Sequence, residues 1–147
     1  MRSGVESSGL GVNFETFEHE ADIGIRGFGG TMEEAFGNAA AAMYSVMVRI
    51  DAVMPTQERT VTVDAPDEEL LLVEWLNALL SLSDIDRLVF SKFNVKIDGT
   101  SLKGTAWGEH LDQVRHEPKV EIKGATYHML KVNKEKDGFI AQCVVDV

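Results

Sequence analysis

Two aspartates near opposite ends of the 147-residue chain are the side chains best placed for chemistry. Asp22 precedes an apolar segment and lies in an acidic stretch, FEHEADIGIRGFGG, that also carries a histidine. Asp146 is the penultimate residue and follows an apolar segment that begins at Phe139. Clustered carboxylates repel one another unless one takes up a proton or a cation joins them. If the fold brings the two aspartates together, they predict a cation site.

The tail adds a further anionic group, because the α-carboxylate of Val147 lies directly behind Asp146. No arginine or lysine lies beside either aspartate in the sequence. Ligation by oxygen alone suits a hard cation such as Ca²⁺ or Mg²⁺ rather than zinc. The alternative is that Asp22 is a turn or capping residue, since aspartate bonds readily to its own backbone.

Other reactive residue types give weaker signals. The histidines show no spacing typical of zinc ligands; they are His19, His110, His116 and His128. Residues 115–128 are dense in polar groups and form either a second functional patch or a solvated loop and strand edge. The single Cys143 lies in an apolar run, which favours a small buried hydrophobe over a catalytic thiol. The string GFGGT lacks a Walker lysine and a third dinucleotide glycine, so it predicts a tight strand-to-helix turn.

Composition and charge narrow the class of protein. The chain has 14 basic and 24 acidic residues, a net charge of −10, and no cluster of lysine or arginine along the sequence. We therefore expect no direct, strong binding of nucleic acid, and instead a cation or a basic protein partner. No apolar run approaches the roughly 18 residues of a membrane span. The absence of paired cysteines and of a secretion signal predicts a cytoplasmic protein.

The elements that must position these residues belong to one domain. We expect residues 1–12 to be a flexible leader and residues 13–147 a single domain. A capping box, Thr31 with Glu34, predicts a helix over residues 32–47, and Asp67 begins a second over residues 68–86. Extended segments are predicted at residues 13–17, 23–28, 59–64, 93–97, 102–108, 120–132 and 139–147.

The pattern predicts an α+β fold, with two helices layered on a largely antiparallel or mixed β-sheet of about six to eight strands. The last strand is apolar on both faces, which indicates a central position. The second helix is apolar nearly all round. Such a helix is either buried on two sides or lends a face to a partner.

Four ordered motifs between residue 13 and the end resemble the archease family. The opening FEHEADIGIRGFGG is similar to the family's His-x-Ala-Asp-Ile-Gly segment, and LLVEWLN to its helix motif. The block RHEPKVEIKGATYH and the closing Val-Asp-Val resemble the family's later motifs. One departure is Glu20, where the family usually carries threonine.

This resemblance implies an archease-like sandwich and an accessory role. Archeases are not enzymes themselves; they activate the RtcB-type tRNA-splicing ligase by promoting its GTP-dependent guanylylation and its multiple turnover. The family's metal site, often with Ca²⁺, implies Asp22, Asp146 and Val147 as ligands here. Two other functions stay open: an independent metal-dependent hydrolase using Asp22, Asp146 and His128, or a chaperone-like binding module that uses the apolar residues 70–82.

Overall fold

The protein, in a computed structural model that describes residues 13–147, has the predicted α+β fold. The predicted leader, residues 1–12, lies outside the described residues. The elements are β1 (Phe14–His19), β2 (Asp22–Gly29), α1 (Met32–Met47), a short 3-10 helix (Ile50–Ala52), β3 (Gln57–Asp64), α2 (Glu68–Asp86), β4 (Leu88–Asp98), β5 (Ser101–His110), β6 (Gly124–Ala125), β7 (Lys131–Glu135) and β8 (Gly138–Asp146). No helix in this range has both the length and the hydropathy needed to cross a membrane.

The strands form two antiparallel sheets, a division that the sequence pattern did not predict. In the larger sheet the order is β1-β2-β8-β6, and β7 also pairs with β8. Strands β6 and β7 therefore follow one another along the edge of β8 that β2 leaves free. The smaller sheet has the order β3-β5-β4. The central position predicted for the last strand, β8, is confirmed.

Helix α1 covers one face of the larger sheet. The predicted capping box is present: Thr31 Oγ1 accepts a hydrogen bond from the N–H of Glu34, whose carboxylate accepts one from the N–H of Thr31. The helix lies so close to β2 that a Cβ atom added at Gly27 would be 2.2 Å from the nitrogen of Ala39. Gly27 thus marks the inner face of β2, and its sequence neighbours point to the other face.

The central apolar side chains of helix α2 are packed in the core, which is the first of the two roles left open by the sequence, whereas Ile85 near its end is 75% exposed. Asp67 Oδ1 caps it by accepting a hydrogen bond from the N–H of Leu70 at 2.8 Å. Trp75 Nε1 donates to the carbonyl of Phe36 in α1 at 3.1 Å. The buried side chains of α2 are Leu71, Leu72, Val73, Trp75, Leu76 and Leu79. The helix therefore fills the core.

Two predicted strands differ from the observed ones. The strand predicted over residues 120–132 is wrong, because only β6 and β7 pair with β8 and residues 126–130 leave the ladder. Strand β4 begins at Leu88, before the predicted residue 93. Leu88, Val89 and Phe90 are all buried, so this segment lacks the alternation that marks a half-buried strand.

Candidate functional site

A β-hairpin places Asp22 at the end of the larger sheet. The last pair of the β1–β2 ladder joins His19 to Asp22, so only Glu20 and Ala21 form the turn. Glu20 has a φ of 55°, in the left-handed region that tight hairpin turns often require. The acidic stretch singled out in the sequence is therefore this hairpin, and Asp22 is the first residue of β2.

Strand β8 brings the tail alongside Asp22. The β2–β8 ladder pairs Ile23 with Val145, and the next step of the same register sets Asp22 opposite Asp146. The main-chain N–H of Val147 donates a hydrogen bond to Asp22 Oδ1 at 3.3 Å. The fold thus brings together all the residues that the sequence analysis named as metal ligands.

Asp22 and Asp146 lie on the side of the sheet that faces away from α1. Residues opposite one another in an antiparallel ladder share a face, so Asp22 and Asp146 lie on the same side. Gly27 faces α1, and Asp22 is an odd number of residues away from it on the same strand, so Asp22 points to the other side. Asp146 is exposed and Asp22 is half-buried. Within residues 13–147 neither carboxylate forms an ion pair with lysine or arginine. We call this pair, with Val147, the acidic edge.

The donor atoms of the acidic edge fit a hard divalent cation. Two carboxylates and the main-chain oxygen of Val147 supply oxygen alone, the ligand type that Ca²⁺ and Mg²⁺ prefer. In the part of the chain that the structure describes, no group of three His, Cys, Asp or Glu side chains is arranged to hold a metal ion. Since Ca²⁺ takes about six to eight oxygen ligands, water or a partner molecule would complete its shell.

An apolar contact separates the acidic edge from an ion pair further along the sheet. The ring of Phe17 lies across Gly24, where an added Cβ atom would meet it at 2.1 Å. The guanidinium of Arg26 lies over the same ring, 4.6 Å from its centroid. Arg26 also pairs with Glu15, and its Nε donates to Gln142 Oε1 at 2.6 Å. Arg26, the only cation of β2, is therefore engaged away from Asp22.

Two histidines border the acidic edge. His19 is opposite Asp22 and shares its face. The ring centroids of His19 and His128 are 6.2 Å apart, with an angle of 36° between the planes. His128 lies between β6 and β7, so this contact brings the end of residues 115–128 to the site. In the sequence these histidines are merely scattered, and only strand pairing reveals the contact.

Helix α2 supports the strand beside Asp146. Gly124 of β6 pairs with Asp146, and the N–H of Lys123 donates to the Asp146 carbonyl at 2.7 Å. Asn77 Oδ1 accepts a hydrogen bond from the N–H of Ala125 at 2.8 Å. Sequence reasoning missed Asn77, although a polar residue within an otherwise apolar helical stretch is a signal that could have identified it.

The loop between β5 and β6 is fixed by His116, which is completely buried. Its Nδ1 accepts a hydrogen bond from the N–H of Asp112 at 2.8 Å, so its Nε2 carries the proton and donates to Glu109 Oε2 at 2.9 Å. The guanidinium of Arg115 binds both oxygens of Glu109, at 2.7 and 3.0 Å. Chiefly these Arg115 bonds, and next the N–H of Met54, lower the pKa of Glu109 from 4.5 to about 2.

Residues 115–128 have different contacts at their two ends, and a functional role for them stays a prediction. Arg115 and His116 belong to a network that holds the loop, whereas His128 reaches the acidic edge. Cys143 is fully buried in β8, in line with its apolar surroundings in the sequence, and burial raises the pKa of its thiol to about 12. The GFGGT string forms the turn from β2 into α1.

Known proteins similar to this chain share its full domain. The sequence profile of the Archease protein family (MTH1598/TM1083) matches residues 14–147. Protein archease from Pyrococcus abyssi is 46% identical over 139 residues, which are 91% of this chain and 98% of that protein. Protein archease from Sulfurisphaera tokodaii is 43% identical over 136 residues, with the same shares of both chains.

Solved structures share the fold. The solution structure of Methanobacterium thermoautotrophicum protein 1598 gives a TM-score of 0.80 at 38% identity, covering 91% of this chain and 98% of that one. The crystal structure of an archease, possible chaperone, from Thermotoga maritima gives 0.59 at 22% identity, covering 89% and 94%, and supports the fold alone. On the profile match and the identities to its relatives, the chain belongs to the archease family.

Proposed function

We propose that this protein is a non-catalytic activator of an RtcB-type RNA ligase in tRNA splicing, acting in the cytoplasm. In this role it promotes GTP-dependent guanylylation of the ligase and lets each ligase molecule turn over repeatedly. The observation that supports the proposal is the meeting of Asp22, Asp146 and Val147 at one solvent-facing edge, in a member of the archease family.

In the proposed site, Asp22, Asp146 and the main-chain oxygen of Val147 hold a divalent cation, Ca²⁺ or Mg²⁺. The cation supplies the positive charge that two adjacent carboxylates lack. The N–H of Val147 binds Asp22 Oδ1 and so fixes the direction of that carboxylate, leaving Oδ2 for a ligand. Because the protein offers too few oxygens for a complete shell, the open positions are available to a group of the ligase.

The charge of the chain supports a partner that binds RNA. An RNA-binding enzyme carries a basic surface that neutralises phosphates. A chain with a net charge of −10 complements such a surface and is steered toward it at low ionic strength. We therefore expect the association rate with the ligase to fall as salt is added.

A metal-dependent hydrolase is a second candidate, favoured by one observation. His19 lies opposite Asp22 on the same face, where an imidazole can accept a proton from water. Purified protein without ligase, assayed on phosphoesters with Ca²⁺ or Mg²⁺, separates the two candidates. Turnover that disappears in Asp22→Asn would favour the hydrolase. The chaperone-like alternative has less support from residues 70–82, because six of their side chains are buried.

The test of the proposed function is covalent transfer of GMP from GTP to the cognate ligase, with this protein substoichiometric. Asp22→Asn and Asp146→Asn keep the side-chain shape and remove the charge, so each should reduce stimulation by about tenfold or more. The matched control is Glu18→Gln, an exposed carboxylate in the same hairpin whose position in β1 assigns it to the opposite face. Full stimulation by both aspartate variants contradicts the proposal.

A further inference from the structure

We propose that Tyr127 and Met129 form an apolar anchor beside the acidic edge, which inserts into an apolar pocket of the ligase next to the group that meets the acidic edge. This inference rests on the proposed function, because it takes the partner to be the ligase activated there. The two side chains belong to residues 126–130, which we call the anchor loop.

The anchor loop is an insertion in the edge of the larger sheet. On β8, Val145 and Gln142 are three residues apart, whereas their partners on the edge, Ala125 and Lys131, are six residues apart. Three residues of the edge therefore have no place in the ladder and are displaced from it. Bulges of this kind re-aim side chains and are frequent next to functional sites.

Hydrogen bonds to β8 hold the anchor loop in one position. The N–H and Oγ1 of Thr126 both donate to the carbonyl of Val144, at 3.0 and 2.8 Å. The N–H of Val144 donates to the carbonyl of His128 at 3.1 Å, and Gln142 Nε2 donates to the carbonyl of Met129 at 3.0 Å. All these bonds lead to the strand that ends at Asp146, so the loop is fixed relative to the acidic edge.

The backbone of Met129 is strained. Its φ is 52°, in the left-handed region where glycine fits without cost and larger residues do not. Strain of this kind persists where the surrounding structure imposes it, and it is concentrated at ligand-binding segments. The left-handed backbone at Met129 is therefore set by the tethered turn and fixes the direction in which its side chain leaves the loop.

The side chains displaced by the bulge face solvent. Tyr127 is 67% exposed and Met129 is 48% exposed. Single exposed hydrophobic residues are ordinary, but these two lie in one tethered loop. Tyrosine and methionine are enriched at the cores of protein interfaces. Because the loop is already fixed, docking it costs little conformational entropy.

The position of the anchor loop identifies the chemistry of its partner. His128 lies between the two exposed residues, and its ring contacts that of His19, which is opposite Asp22. The loop that carries the two exposed apolar side chains therefore borders two carboxylates that lack a basic partner among residues 13–147. Its complement is an apolar wall beside a group that completes the shell of the cation held at the acidic edge.

The experiment titrates the full-length protein against the intact ligase and measures guanylylation. Tyr127→Ala and Met129→Ala should raise the concentration for half-maximal stimulation by about tenfold, with the maximum unchanged. Asp146→Asn should instead lower the maximum. The control variants are Val114→Ala, in the loop between β5 and β6, and Ile85→Ala, in α2. They remove side chains that are 85% and 75% exposed, and should leave both values unchanged.

Met129→Gly separates a docking role from a structural one. It relieves the backbone strain and removes the side chain, so its thermal midpoint should stay near that of the wild type while half-maximal stimulation needs about tenfold more protein. If every anchor variant reaches half-maximal stimulation at the same concentration as the wild type, this inference is overturned and the proposed function stays intact. If the wild-type protein itself gives no stimulation, the proposed function and this inference are both overturned.

Discussion

Asn77 of α2 is joined to Ala125 of β6 by a hydrogen bond of 2.8 Å, which runs from the Ala125 N–H to Asn77 Oδ1. The bond links the helix that fills the core to the strand that borders Asp146. Because Gly124–Ala125 is only two residues long, few main-chain bonds to β8 hold it. Asn77 is therefore a positioning residue for the acidic edge.

We expect Asn77→Ala to loosen β6 and to reduce stability by about 1 kcal/mol, the usual net value of one hydrogen bond. Amide hydrogen exchange measures the local effect, and the N–H of Ala125 should exchange faster. The matched control is Asn94→Ala, an exposed asparagine on β4, which should change neither quantity. Unchanged exchange at Ala125 would show that β6 is held by other contacts.

Glu109 should make stability depend on pH in the acid range. Its pKa is lowered from 4.5 to about 2 in the folded state, first by the bonds from Arg115 and then by the N–H of Met54. A carboxyl group with a lowered folded pKa stabilises the fold above its unfolded pKa, and this contribution is lost as the pH falls through the folded pKa. The advantage of the wild type over Glu109→Gln should be full above about pH 5 and should vanish near about pH 2.

Urea unfolding of the wild type and Glu109→Gln, repeated from neutral pH downward, measures this difference. A difference in the free energy of unfolding that stays constant with pH would mean that Glu109 acts through shape alone. Arg115→Gln is the complementary variant, because it removes the largest cause of the lowered pKa. It should show the same loss of pH dependence.

Gly27 and Gly37 give opposite predictions for the same substitution. In Gly27→Ala the new Cβ atom would lie 2.2 Å from the Ala39 nitrogen and 2.4 Å from the Ala35 oxygen, so α1 must move and stability should fall by about 3 kcal/mol. At Gly37 the nearest atom is the Cβ of Phe93 at 3.7 Å, an ordinary contact. Gly37→Ala should therefore stabilise α1 by about 1 kcal/mol. Thermal denaturation measures both, and equal effects would contradict the close approach at Gly27.

The helices and the central strand could be predicted because their signals are local. Thr31 and Glu34 form a capping box, and Asp67 caps α2, each within a few residues of the turn it stabilises. The residues of β8 are apolar on both faces, which is typical of a central strand, and β8 does have pairing strands along both of its edges. These features depend on short-range hydrogen bonds and on the spacing of apolar residues, both of which can be identified in the sequence.

The division into two sheets and the anchor loop could not be predicted in this way. Which strands pair depends on contacts between distant parts of the chain, and no local pattern records them. The sequence pattern predicts one strand over residues 120–132. In the structure the N–H of Val144 donates to the carbonyl of His128, and the carbonyl of Val144 accepts from the N–H of Thr126, so Tyr127 between them is displaced from the ladder. The strain at Met129 is likewise visible only in the backbone.

The candidate site was predicted in part. The proximity of Asp22 to the tail follows from a central last strand together with the resemblance to archeases, and the bond from Val147 to Asp22 displays it. Cation binding stays a prediction. The contact of His19 with His128, the bond from Asn77 to Ala125 and the buried His116 were missed, because tertiary packing alone creates them.

Cys143 should be unreactive in the folded protein. It is fully buried, and burial raises its pKa to about 12, so almost no thiolate forms at neutral pH. Iodoacetamide should therefore modify the thiol only after unfolding in urea, which mass spectrometry detects. Modification of the native protein at the rate of the unfolded chain would indicate that β8 opens readily.

Cation binding at the acidic edge should make the difference in thermal midpoint between the wild type and Asp146→Asn reverse its sign between Ca²⁺ and EDTA. A ligand at about 100 times its dissociation constant stabilises the folded state by about 3 kcal/mol. Ca²⁺ should therefore raise the thermal midpoint of the wild type and should leave that of Asp146→Asn unchanged. In EDTA the order should invert, because Asp146→Asn removes the repulsion between two uncompensated carboxylates. A wild-type midpoint that is the same in Ca²⁺, Mg²⁺ and EDTA would exclude a cation at this edge. A wild type that is more stable than Asp146→Asn in Ca²⁺ and less stable in EDTA requires one.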